Sequence, residues 1–97
     1  MKNIKHEKET NSYMQLCLYL EGKGNIYLMV PTFWDSVKKQ WMGFVKTPEK
    51  GKILAAHGKD STELQNNFNI VLAKSFEENP DETLSMFKPL EYWETRL

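Results

Sequence analysis

The chain has 97 residues, of which 40% are hydrophobic and 27% are charged, with a single cysteine and a formal net charge of zero. This length suits one domain with a modest core, and the composition is too apolar for an intrinsically disordered chain. One cysteine excludes an intrachain disulfide, and no apolar run approaches the roughly 18 residues that a membrane-spanning helix needs. We therefore expect a soluble, cytoplasmic protein that does not engage a membrane.

The charged residues are unevenly distributed along the sequence. Residues 36–60 carry six lysines and two acidic residues, whereas residues 61–97 carry three basic and seven acidic residues. The middle of the chain is therefore basic and its end is acidic. The two regions can attract each other within the fold or between copies, or they can face different partners, although a mixed solvated surface is the default.

Residues 1–11 are a polar arm rich in lysine and glutamate, for which we expect a flexible conformation, and residues 12–97 are expected to form one α+β domain. Strict alternation predicts a β-strand over residues 13–20, with the even-numbered side chains facing the core. A turn with two glycines leads to a second alternating run at residues 26–30, so these strands are predicted to form a hairpin.

The stretch of residues 32–43 is compatible with two structures. A helix would begin at a Thr32 cap and end at Gly43. A hairpin would instead continue the second strand to about Trp34 and return after a turn. Crowded aromatic and β-branched residues favour the hairpin, but Pro31 would then need an edge or bulged position because proline cannot donate a ladder hydrogen bond.

The clearest helical signal covers residues 60–79. Asp60 can cap the first turn and Glu63 can complete a capping box, while Pro80 disfavours helical geometry in the residue before it. Apolar residues recur along one stripe of this helix at Leu64, Phe68, Val71, Leu72 and Phe76. This stripe needs an apolar surface to cover, which the preceding strands can supply.

The remaining segments complete an α+β fold. Residues 53–57 are predicted to form a fourth strand, and a short second helix is predicted from Asn79 to near Lys88. The tail at residues 90–97 is rich in large apolar side chains and is expected to dock on the body or on a second copy. We expect an antiparallel meander of about four strands with the long helix on one face and the short helix and tail after it. The other face is left to bind a partner or a second copy.

No motif for catalysis or for a cofactor is present, so we expect no catalytic residue, no cofactor and no metal. Cys17, His6 and His57 lack the paired spacing of zinc ligands, and no third group accompanies Cys17 and His57 as a nucleophile and its base. The Gly58-Lys59 pair precedes the long helix but lacks the rest of a phosphate loop.

Aromatic residues interleaved with lysines are the feature that points to binding. Aromatic and basic groups on a sheet hold single-stranded nucleic acid in several small domains, but tryptophan and tyrosine are equally enriched in protein interfaces. A turn at residues 35–39 would place Trp34 opposite Trp41, with at least one of them partly exposed. The predicted binding surface consists of Trp34, Lys38, Lys39, Trp41, Phe44, Lys46, Tyr92 and Trp93.

From these features we predict a small non-enzymatic binding module that engages a protein partner or a second copy of itself. A single-stranded nucleic-acid-binding domain is the alternative, and a small enzyme ranks third.

Overall fold

A four-stranded antiparallel meander followed by three helices makes up the part of the chain that the structure describes. This computed structural model describes residues 12–96, so the predicted flexible arm at residues 1–11, with His6, and the terminal Leu97 lie outside the described residues. The sheet order is β1-β2-β3-β4, and each strand is antiparallel to its neighbour. The elements in chain order are β1 (Tyr13–Leu20), β2 (Gly24–Asp35), β3 (Gln40–Lys46), β4 (Ile53–Gly58), α1 (Ser61–Glu78), α2 (Pro80–Ser85) and α3 (Leu90–Glu94). The predicted α+β fold is confirmed.

The first hairpin follows the alternation of its residues. Even-numbered side chains of β1 and β2 face the core, where Leu16 and Val30 are buried, and the odd-numbered side chains of β1 are exposed. Gly22 and Gly24 have φ angles of 89° and 84°, which only glycine adopts without strain. The turn glycines therefore set the register in which Leu20 pairs with Gly24.

Residues 32–43 form a hairpin, as the aromatic and β-branched residues favoured, and not a helix. Trp34 pairs with Trp41 and Asp35 pairs with Gln40 across the β2–β3 ladder. The Oδ1 atom of Asp35 accepts hydrogen bonds from the backbone N–H groups of Val37 at 3.0 Å and Lys38 at 3.2 Å. These bonds offer the turn backbone an alternative to helical hydrogen bonding, which is why an aspartate at this position favours the turn.

Pro31 marks the point where β2 changes its partner. The ladder with β1 runs as far as Tyr13 opposite Pro31, whereas the ladder with β3 begins only at Thr32 opposite Gly43. Proline has no N–H to donate, so the β2–β3 pairing cannot continue through it. On the N-terminal side of Pro31, β2 and β3 part. The edge of β2 that β3 leaves uncovered there pairs with Lys88 at a single bridge to Tyr27.

Helix α1 begins at the predicted cap. The Oδ1 atom of Asp60 accepts the N–H of Glu63 at 2.9 Å, and the Glu63 carboxylate in turn accepts the N–H of Lys59 at 2.6 Å, one residue before the position that a capping box predicts. The predicted stripe packs against the sheet: Leu64, Phe68 and Leu72 are buried, while Val71 and Phe76 pack against the core from its margin. None of the helices in residues 12–96 is long and apolar enough to cross a membrane.

The close approach between β4 and α1 depends on Gly58. A Cβ atom built on Gly58 would lie 2.6 Å from the Cα of Leu64 and 2.8 Å from the carbonyl carbon of Glu63. These are backbone atoms of the first helical turn, so they cannot move aside as a flexible side chain would. The helix can therefore cross over the end of β4 only because this residue has no side chain.

The C-terminal segment returns to the sheet. Helix α2 ends at Ser85, three residues before the predicted end near Lys88, because Met86 and Phe87 turn into the core and Lys88 pairs with Tyr27. The backbone N–H of Tyr27 donates to the Lys88 carbonyl at 2.7 Å, and that of Lys88 donates back at 2.8 Å. The Trp93 Nε1–H donates to the Tyr27 carbonyl oxygen at 2.8 Å, so α3 docks on the body of the same chain.

Replacing Phe68 by alanine tests the apolar stripe of α1. Phe68 is fully buried, so Phe68→Ala should lower the free energy of unfolding by about 3–5 kcal/mol, through lost burial and the cavity left behind. Ile70→Ala is the matched control, because Ile70 is 69% exposed on the same helix and should change stability by no more than about 0.5 kcal/mol. Urea melts of the three proteins measure both values, and equal losses would contradict the packing described.

A second substitution tests the close approach at Gly58. Gly58→Ala should cost about 3 kcal/mol or more, at the upper end of the usual range for overpacking, since its new methyl group would overlap the α1 backbone. Gly43→Ala, in the neighbouring strand, would meet a Val30 side-chain carbon at 3.2 Å and should stay within about 1 kcal/mol of the wild type. Thermal unfolding would separate the two variants. A Gly58→Ala protein as stable as Gly43→Ala would show that β4 and α1 are not so close.

Candidate functional site

The two faces of the sheet differ in what covers them. Helix α1 covers the face that carries the buried residues of all four strands, whereas every residue on the opposite face of the described strands is half-buried or exposed. We call this second surface the open face. Its large side chains are Tyr13, Tyr19, Tyr27, Met29, Pro31, Phe33, Met42, Phe44 and Ile53. A sheet face this rich in aromatic and sulfur-containing side chains is typical of an interaction surface.

The two tryptophans of the second hairpin lie together, as predicted, but on the face that α1 covers. Their ring centroids are 5.4 Å apart in an edge-to-face arrangement. Trp34 is 42% exposed, whereas Trp41 is half-buried and packs against the core. A Trp41→Ala substitution would therefore disturb the fold as well as any partner contact, and it is a poor test of binding.

The eight residues of the predicted binding surface do not form one surface. Lys38 and Lys39 are exposed in the β2–β3 turn, next to the Trp34–Trp41 pair. The structure instead brings the other four predicted residues together at a cleft, to which β3 contributes Phe44 and Lys46 and α3 contributes Tyr92 and Trp93.

This cleft opens where β2 and β3 part, on the N-terminal side of Pro31 in β2. Its volume is about 550 Å³, within the usual range for small-molecule or side-chain pockets. The lining residues come from β2, β3, the loop after β3 and the C-terminal segment: Leu28, Pro31, Phe44, Val45, Lys46, Pro48, Ser85, Met86, Lys88, Tyr92 and Trp93. The walls are mainly apolar, so the cleft can take up an apolar group and shield it from water.

Sequence reasoning missed several residues of the cleft. Leu28, Val45 and Met86 read as ordinary core positions, and nothing local to Lys88 indicates that it pairs with β2. The one signal in the sequence was Pro31 within a predicted strand, because a proline there indicates an interrupted hydrogen-bond ladder. An interrupted ladder in the middle of a sheet implies a gap that other side chains must line.

The rim of the cleft is basic. Neither Lys46 nor Lys88 lies within 4.0 Å of a carboxylate in residues 12–96. The Lys88 Nζ lies 5.5 Å from the centre of the Tyr92 ring, and the Arg96 guanidinium lies 3.8 Å from the same ring centre. Such cation–π contacts hold the side chains in place without neutralising them. The rim therefore favours an anionic group beside an apolar one.

Basic and acidic regions of the chain meet within the fold next to this cleft. The Lys52 Nζ lies 2.7 Å from a Glu78 oxygen, and the Lys50 Nζ donates to the side-chain oxygen of Asn79 at 2.8 Å. The Oε2 atom of Glu82 accepts the N–H groups of Glu49 and Lys50, both at 2.7 Å. These backbone donors hold the pKa of the Glu82 carboxyl below its ordinary value, since they stabilise the ionised form. Glu82 thus fixes the loop after β3.

An Asp–His pair occupies the far side of the open face. The Nε2 atom of His57 is buried without a hydrogen-bond partner and lies 3.6 Å from an oxygen of Asp35, too far for a hydrogen bond. The N–H groups of Lys38 and Val37 hold the pKa of Asp35 below its ordinary value. Cys17 lies on β1 and His57 on β4, with β2 and β3 between them, so the structure does not bring Cys17 and His57 together. Among the described residues, no three His, Cys, Asp or Glu side chains are grouped as metal ligands would be.

No protein-family model matches the sequence, and comparisons with curated proteins and with solved structures also return no match. The site must therefore be interpreted from its own geometry.

The acid dependence of stability tests the role of Glu82. Its pKa is lower in the folded chain than in the unfolded one, so the ionised carboxylate stabilises the fold above the ordinary value of 4.5, and this contribution is lost as the pH falls through the lower folded value. Glu82→Gln should lower the melting temperature at pH 7, and the gap to the wild type should shrink below pH 4.5.

Glu94→Gln, on the exposed side of α3, is the control and should show no such gap. Melting curves recorded by circular dichroism from pH 7 to acid measure the effect. A gap that stays constant with pH would contradict the ionic role of Glu82.

Proposed function

We propose that this chain is a non-enzymatic binding module that holds a segment of a protein partner at the cleft between β2 and β3. The observation that carries the proposal is the cleft itself, which has a volume of about 550 Å³ and mainly apolar walls. Its rim carries two lysines, Lys46 and Lys88, that have no carboxylate neighbour among residues 12–96. The open face around it supplies further aromatic surface. The best occupant is an exposed segment with one large apolar side chain and one or more acidic residues beside it.

The aromatic walls suit an anchoring side chain. Phe44 and Trp93 are half-buried, so each still has apolar surface to cover when a partner arrives. Interfaces gain most of their binding energy from a few such residues in well-packed pockets, while charges at the rim mainly guide and orient the partner. Because Trp93 is fixed by its hydrogen bond to Tyr27, this wall is already ordered before binding.

Single-stranded nucleic acid is the alternative occupant of the open face. Phe33 and Phe44 stack there with ring centroids 5.7 Å apart, as aromatic residues on a nucleic-acid platform would. Two features give this alternative less support. Lys52 already contacts Glu78, which leaves fewer cations for phosphates, and the Trp34–Trp41 pair lies on the opposite face.

Selection from a random peptide library displayed on phage tests the proposal with the intact chain. Enriched peptides should share an apolar residue flanked by aspartate or glutamate. Phe44→Ala should weaken binding of such a peptide by about 30-fold, as expected for an interface anchor worth about 2 kcal/mol. Lys46→Glu should weaken it by about tenfold at low salt and by less at high salt.

Matched controls lie away from the cleft. Ile70→Ala removes an exposed apolar residue on α1, and Lys59→Glu reverses an exposed charge before α1, so neither should change the affinity. Thermal melts would check that Phe44→Ala is folded. The proposal is wrong if no peptide is enriched, or if the controls weaken binding as much as the cleft variants. Tight, steeply salt-dependent binding of a fluorescein-labelled single-stranded oligonucleotide would favour the alternative instead.

A further inference from the structure

The outer edge of β1 has no partner among the described residues. β1 is the first strand of the sheet, and only β2 pairs with it. Tyr27 exchanges both of its backbone hydrogen bonds with Lys88, on the side of β2 away from β1. Cys17 lies opposite Tyr27 on β1, so these two residues form a pair without hydrogen bonds between them. The N–H and C=O groups of Cys17 therefore point outward, away from β2.

The same alternation applies along the whole strand. The N–H of Thr32 donates to the carbonyl of Ser12, so the even-numbered residues bond to β2 and the odd-numbered residues face outward. Four residues thus present donors and acceptors along the edge that no described residue pairs with, namely Tyr13, Gln15, Cys17 and Tyr19.

This edge lacks the features that keep edge strands apart. The sequence YMQLCLYL has no charged residue, no proline and no glycine, and its register with β2 runs from residue 13 to residue 20 without a bulge. Its eight residues exceed the usual strand length of about 5–6. A long, uncharged and regular edge is a template for pairing with another strand.

The side chains of β1 also leave apolar surface to cover. Helix α1 packs chiefly against β4, so Met14, Leu18 and Leu20 on the helix-covered face of β1 remain only half-buried. A groove of about 310 Å³ runs between β1 and α1, with Leu16, Leu18, Leu72 and Phe76 among its lining residues. On the open face, Tyr13 is 43% exposed and Tyr19 is 71% exposed.

We infer that β1 pairs with β1 of a second copy, antiparallel and about a two-fold axis, to form one continuous eight-stranded sheet. Centring the axis on Leu16 uses all four outward-facing residues of each strand and places Tyr13 opposite Tyr19 of the other copy. Centring it on Cys17 would leave Tyr13 opposite the turn. The edge carries no charge, so pairing with an identical strand sets no like charges against each other. This inference does not depend on the proposed function, because the edge and the cleft belong to different strands.

Two double variants test both the pairing and its register. Tyr13→Lys/Tyr19→Lys places like charges opposite each other twice in the inferred dimer, whereas Tyr13→Lys/Tyr19→Glu places opposite charges there. Within one chain these positions pair with Pro31 and Asn25, so neither variant creates a charge pair inside the monomer. The wild type and the Lys/Glu variant should sediment as dimers of twice 11.4 kDa, and the Lys/Lys variant as a monomer.

Cys17→Pro is a third variant that acts on the backbone. It removes one outward N–H and no bond to β2, so the monomer should keep its circular dichroism spectrum while the dimer is lost. A wild type that stays monomeric at its highest soluble concentration overturns the inference, as do Lys/Lys and Lys/Glu variants with the same mass. All these variants should bind the selected peptides as the wild type does, so loss of the dimer and loss of the cleft interaction are separate results.

Discussion

The missing N–H of Pro31 is the constraint on which the site depends. A four-stranded meander would normally pair β2 with β3 along its whole length, but a proline cannot donate into that ladder, and pairing with β3 stops at Thr32. The N-terminal half of β2 then has backbone N–H and C=O groups on its β3 side that β3 does not pair with. Lys88 and Trp93 take up those of Tyr27, and both then line the cleft. One residue thus creates both the gap and the edge to which the C-terminal segment binds.

The C-terminal segment can fill this role because its own start is fixed. Thr83 and Ser75 share a buried hydrogen bond of 2.6 Å where α2 leaves α1, and Glu82 holds the loop after β3 by two backbone N–H groups. With both ends of this joint held, Met86 and Phe87 are directed into the core, and Lys88 reaches Tyr27. The contacts between the basic middle and the acidic end of the chain, from Lys52 to Glu78 and from the loop after β3 to Glu82, are therefore part of what shapes the cleft.

The local sequence pattern was enough to predict an element wherever the apolar spacing or the capping residues of that segment determine its structure. The bounds of β1, the stripe of α1 and the cap at Asp60 follow from neighbouring residues, and the structure reproduces them. The assembly of the cleft did not follow, because Tyr27 and Lys88 are distant in sequence and their pairing is decided by tertiary packing. The face of Trp34 could have been inferred from parity, since it shares the even face of β2 with Leu28 and Val30. What parity cannot show is that Trp34 stays 42% exposed on this face, because its exposure depends on where the tertiary fold places the start of α1.

Strand β2 lies between the outer edge of β1 and the cleft. The edge faces away from β2, and the cleft opens on the other side of β2, so occupation of one leaves the other accessible. A dimer built through the edge would carry two clefts related by the two-fold axis. Two such sites on one rigid sheet would raise the avidity for a partner that presents its acidic and apolar segment twice, without any new contact at either site. In such a dimer, self-association would strengthen a weak interaction at the cleft, and the two would not compete.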